Sequence, residues 1–114
     1  RVGMTMTLRD VRFEKSSADL ADSFQPELEQ LAKTMLQSEI RIEIIGHTDG
    51  DGSFENNMIL SRQRAESVAD FLEKRGVDRT RMELLGLGAS VPIQSNDTDE
   101  GKAMNRRTEI VVIN

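Results

Sequence analysis

At 114 residues the chain has room for one domain with one modest core, and not for two. A net charge of -5 with no basic stripe excludes the usual nucleic-acid partners, and no apolar run approaches a membrane span or a signal peptide. Cysteine is absent, which excludes disulfide scaffolds and thiolate sites; Trp and Tyr are absent too, so the core must be aliphatic.

The chain opens at Arg1 rather than Met, and the expectation is a single domain, 1–114, forming the C-terminal part of a longer protein, with any anchor or targeting segment outside it. Val2, Met4, Met6 and Leu8 alternate with polar residues and predict a half-buried strand. Val11 and Phe13 continue the alternation in the opposite phase, which requires a bulge or break near Arg9-Asp10 and leaves open one bent strand or two. After the polar stretch "EKSSAD", Leu28, Leu31, Ala32, Met35 and Leu36 mark one face of a helix, with Pro26 in its tolerant first turn. Ile40, Ile42 and Ile44 form a second alternating strand that ends at Gly46. A glycine-rich loop leads to a helix from about Glu55 to Arg75, stopped by Gly76. "RMELLGLG" predicts a third strand; a turn-rich loop and a short helical piece, Asp99 to Asn105, follow. The run "TEIVVI" is apolar on both faces and predicts an interior strand. The order β-α-β-α-β-β gives the α/β class: a two-layer sandwich, a small mixed sheet with helices packed on one face.

Helical periodicity singles out one residue. At roughly 100° per residue, Leu60, Ala65, Val68, Phe71 and Leu72 gather on one side of the second helix. Arg62, Gln63, Glu66, Asp70, Glu73 and Lys74 take the other, as a solvated face should. Asn57, Ser61 and Arg64 fall inside the apolar stripe. A guanidinium keeps its charge, so burial demands an anion and filled hydrogen bonds. Two readings stand side by side: a structural ion pair, with Asp49 as the nearest acid in sequence, or a site in which Arg64 and Asp49 hold the two ends of a zwitterion. The start of a helix beyond a strand's C-terminal end is where α/β folds commonly place ligands.

The loop "GHTDGDG", residues 46–52, holds the only histidine, two acids and three glycines. A calcium loop at Asp49 and Asp51 fails on register: starting at His47 leaves Met58 last, and starting at Asp49 puts Phe54 where glycine is required. Zinc lacks a second cluster to complete its shell. A hydrolase could use His47 as base with Asp49 orienting it, yet no Ser or Thr stands in a recognisable nucleophile context.

These residues resemble the OmpA/MotB C-terminal domain, the peptidoglycan-associating module of bacterial envelope proteins. The likeness runs through Gly46-His47-Thr48-Asp49, Gly52, Asn57, Leu60-Ser61 and Arg64-Ala65. It continues in Gly86, Gly88, Pro92, Asn96, Gly101 and Asn105-Arg106-Arg107, and "LRDVRFEKSSADL" is similar to the family's first strand and loop. The resemblance implies binding, without covalent chemistry or cofactor, of the diaminopimelate-containing stem peptide of peptidoglycan. Asp49 would take an ammonium and Arg64 a carboxylate, with Thr48 beside them. Glu14, Lys15 and Ser16 would offer backbone N–H groups, Asn57 would brace the loop, and Arg106 would lie near the cleft. It also implies a cell-envelope or periplasmic setting, tethered by a membrane region outside the chain. Glu14 stands where the family often has Asp, and Lys102 where it commonly has Arg.

Overall fold

The computed structural model describes residues 3–9 and 25–113. The phase slip near Arg9-Asp10 and the residues Glu14, Lys15 and Ser16 lie outside them. The elements are β1 (Thr5–Arg9), α1 (Gln25–Leu36), β2 (Ile42–His47), α2 (Phe54–Lys74), β3 (Met82–Gly86), α3 (Asp99–Asn105) and β4 (Arg107–Val112), with a 3₁₀ turn at Arg79–Arg81. The expected order holds, and α3 is the short helical piece anticipated before the last strand.

The sheet runs β1-β4-β2-β3. β4 pairs antiparallel with both β1 and β2, and β2 pairs parallel with β3. The sheet is therefore mixed, and β4 is interior, as a strand apolar on both faces must be.

One face of the sheet is covered by helices. Ile42, Ile44, Met82 and Ile110 meet Leu28, Leu31, Ala32 and Met35 of α1 and Ala65, Val68, Ala69 and Leu72 of α2. Full burial of each large aliphatic contributes about 1.5–3 kcal/mol, so this layer dominates stability. Leu36, expected on the buried face of α1, is 53% exposed in the last turn, where the helix has run past the core.

α2 begins and ends on local chemistry. The Ser53 side chain accepts from the Asn56 N–H at 3.1 Å, satisfying a donor that the first turn leaves open. At the other end Gly76 adopts φ +101°, and the Gly76 and Val77 N–H groups donate to Glu73 and Leu72 carbonyls. That is a Schellman stop, and buried Val77 packs back into the core from it.

β2, α2 and β3 form a β-α-β unit, and its glycines fix how close α2 lies. Gly46 and Gly86 are register partners at the carboxyl ends of the two parallel strands. A Cβ on Gly46 would collide with the Ser61 carbonyl oxygen, and one on Gly86 would lie 2.6 Å from the Arg62 nitrogen. The helix therefore rests directly on the strand ends, which puts its first turns over the segment that follows β2.

Candidate functional site

Asp49 and Arg64 meet at one cavity. It has a volume of about 190 Å³ and is lined by Thr48, Asp49, Asp51, Gly52, Asn57, Leu60, Arg64 and Arg106. Five of the eight anticipated site residues thus come together: Asp49, Arg64, Thr48, Asn57 and Arg106.

Arg64 is fully buried, as its place in the apolar stripe of α2 requires. Its Nη1 donates to the His47 carbonyl at 3.3 Å, which docks the guanidinium on the end of β2. Asp49, 4% exposed, is held on several sides. Its Oδ1 accepts from the Asp51 N–H at 2.9 Å, closing a local turn, and its Oδ2 accepts from Arg106 Nη1 at 2.9 Å. Its carbonyl accepts from the Thr48 hydroxyl at 2.9 Å and from the Asn57 amide at 3.5 Å. Thr48 and Asn57 therefore brace the loop through the Asp49 main chain. Arg106 brings a cation to Asp49 from 57 positions away, arriving on the end of α3. A carboxylate offers about four lone-pair directions, so each Asp49 oxygen keeps room for a further donor.

Ser61 joins the helix to this loop. Its hydroxyl donates to the Met58 carbonyl and accepts from the Gly88 N–H, both at 2.9 Å. The Gly88 carbonyl in turn accepts from the Thr48 N–H at 2.9 Å. The polar residues in the stripe of α2 thus serve the strand end rather than the hydrophobic layer.

His47 points to the other face of the sheet. His47 is 1% exposed, and Nε2 lies 2.9 Å from Glu109 Oε1, with Nδ1 buried and without a hydrogen-bond partner among the described residues. Burial depresses the imidazole below its ordinary value; the Glu109 hydrogen bond opposes this and the nearby Arg107 charge reinforces it. His47 is thus neutral near pH 7, donating from Nε2. Its partner is Glu109 rather than Asp49, so the His47–Asp49 pair considered above for a hydrolase is not formed. Glu109 is disfavoured as an anion by desolvation, but the His47 bond and the Arg107 charge outweigh this and lower its pKa.

Four residues of the second motif block have roles that spacing did not disclose. Arg107 is buried and donates to the Asn105 and Val91 carbonyls at 3.1 and 3.0 Å. Asn105 and Asn96 tie the 93–96 loop together. Lys102 reaches Asp51 at 3.3 Å across the rim of the cavity. Among the described residues, no group of three His, Cys, Asp or Glu side chains is placed to hold a metal ion, and no helix is long and apolar enough to cross a membrane.

Residues 12–106 match the OmpA family. The chain is 43% identical over 104 residues to the probable lipoprotein YiaD of Escherichia coli strain K12, which covers 90% of the chain and 48% of that protein. It is 53% identical over 72 residues to the peptidoglycan-binding protein ArfA of Mycobacterium bovis, covering 63% of the chain and 22% of that protein. The chain thus spans about half of the first relative and less of the second. Among solved structures, the peptidoglycan-associated lipoprotein of Burkholderia pseudomallei superposes with a TM-score of 0.87 at 31% identity, covering 93% of this chain and 88% of that one. The cell wall anchor of the T6SS from Pseudomonas aeruginosa gives 0.83 at 32% identity, covering 96% and 80%.

Proposed function

The chain belongs to the OmpA family, and on that premise we propose that it binds the stem peptide of peptidoglycan at the diaminopimelate residue, without covalent chemistry. The reading rests on one observation: an acid and an arginine, both withdrawn from solvent, line the same small cavity beyond the end of β2. Diaminopimelate carries an ammonium and a carboxylate on one side-chain carbon, and such a cavity matches both. Asp49 receives the ammonium on the lone pairs that Arg106 and the Asp51 N–H leave open. Arg64 receives the carboxylate. Thr48 and Asn57 hold the loop in register, and Arg106 keeps the Asp49 side chain turned into the cavity. The backbone of Glu14, Lys15 and Ser16 supplies further donors to a ligand carboxylate.

Hydrogen bonds to charged groups contribute about 1.5–3 kcal/mol each. Two such contacts and a few backbone bonds support a monovalent Kd roughly in the micromolar to millimolar range. Firm attachment then comes from many copies facing a polymer that repeats its ligand. In this reading the chain is one domain of a larger protein in the periplasm or cell envelope, where it anchors that protein to the wall. Relatives named as a lipoprotein, a peptidoglycan-binding protein and a cell wall anchor support it.

The test is co-sedimentation with purified peptidoglycan. Wild type is expected in the pellet, with Asp49→Ala and Arg64→Ala left in the supernatant. Undiminished pelleting of both variants would overturn the site.

A further inference from the structure

Asp49 and Gly50 are held by two consecutive residues at the end of α3. Arg106 reaches the Asp49 carboxylate directly, at 2.9 Å. Asn105 acts through an intermediary. Fully buried, it uses its whole side-chain amide on the preceding loop: Oδ1 accepts from the Ile93 and Gln94 N–H groups at 2.7 and 3.0 Å, and Nδ2 donates to the Gln94 carbonyl at 2.9 Å and to Asn96 Oδ1 at 2.8 Å. The same Asn96 oxygen accepts from the Gly50 N–H at 3.1 Å. From 91 to 100, Asn96 is the one residue that is not exposed.

A second observation places Asn96 against the loop. A Cβ on Gly50 would lie 2.8 Å from Asn96 Nδ2 and 3.0 Å from its Cγ. The amide is therefore seated on the Gly50 Cα, anchored from behind by Asn105, and glycine is the residue that lets it sit there. Asn96 touches the main chain only one residue from Asp49 and adds no charge to the cavity.

We propose that Asn96 is a positioning residue of the ligand site: by fixing the main chain at Gly50 it sets where the Asp49 carboxylate stands relative to Arg64. The inference rests on the reading that this cavity binds the diaminopimelate zwitterion. Asn96 is the acceptor in its bonds from Gly50 and from Asn105. Asn96→Asp therefore preserves them, whereas Asn96→Ala removes them.

The test is calorimetric titration of wild type and variants with a diaminopimelate-containing stem peptide, alongside thermal melts. Asn96→Ala is expected to weaken binding about fivefold to tenfold, the effect of one lost hydrogen bond. Asn96→Asp is expected to restore affinity, and Gly50→Ala, which displaces the amide without deleting it, to weaken binding as Asn96→Ala does. In a double-mutant cycle with Asp49→Asn, the Asn96→Ala loss should largely vanish, because Asn96 works through Asp49. A merely structural role predicts additive losses that follow the melting temperature. Wild-type affinity in Asn96→Ala, failure of Asn96→Asp to rescue, or full additivity would each overturn the positioning role while leaving the proposed function standing. A wild-type protein without affinity for the peptide overturns the function and this inference with it.

Discussion

Arg64 occupies a place in α2 where helical geometry calls for an apolar side chain, and it is fully buried there. Replacing a whole buried ion pair by apolar groups often changes stability little, whereas removing one charged member alone leaves its partners unsatisfied and is costly. Arg64→Met keeps the buried volume but takes a donor away from the His47 carbonyl, so it is expected to stay folded at a cost of about 1–3 kcal/mol in denaturant unfolding, and to lose peptidoglycan. Loss of folding with no separable loss of binding would make Arg64 a structural residue. His47 carries the pH dependence. Its folded pKa lies below the unfolded value, so its contribution is complete above about pH 6.5 and is lost as the pH falls from there to the lowered folded value. Glu109, also lowered, adds the same sign at more acid pH. The melting temperature is expected to fall as pH drops below about 6.5, and His47→Gln, which keeps a donor for Glu109, should flatten that slope. An unchanged slope in the variant would assign the effect elsewhere. At this scale the sequence discloses Arg64, because periodicity alone puts it on the wrong face. It does not disclose Arg106 on Asp49 or Glu109 on His47, pairs separated by 57 and 62 residues that only the pairing of β4 beside β2 brings together.

At the scale of elements, the close seating of α2 on two strand ends organises the site. Gly46 and Gly86 are needed for lack of a side chain, since both have helix backbone where a Cβ would stand. Gly46→Ala is expected to cost on the order of 3 kcal/mol, because the neighbour is a main-chain carbonyl that cannot swing away. A denaturation midpoint like that of wild type would show that the helix can lift without penalty. Strand and helix order, the interior place of β4 and the stop at Gly76 are all legible from alternation, periodicity and one glycine. The reason for Gly46 is not, since a glycine at a strand end reads only as a turn until the helix above it is placed. The Asn105-Asn96-Gly50 relay is equally silent in the sequence. Its polar residues sit in a loop whose composition announces turns, and its bonds join segments 46 residues apart.

At the scale of the molecule, a cavity of about 190 Å³ on one domain offers a single modest contact, so firm attachment has to come from repetition. Two copies joined by a flexible linker should hold purified sacculi on the order of 100-fold more tightly than one; no gain would mean the ligand is not a repeating one. The central claim is that Asp49 and Arg64 read the two charges of one diaminopimelate side chain. The most direct measurement titrates wild type and Arg64→Met with two stem peptides, one containing diaminopimelate and one containing lysine, which keeps the ammonium and lacks the side-chain carboxylate. Wild type is predicted to prefer the diaminopimelate peptide by about tenfold or more, the value of one charge-assisted contact, and Arg64→Met to lose that preference. Equal affinities in wild type, or a preference that survives in Arg64→Met, would contradict it.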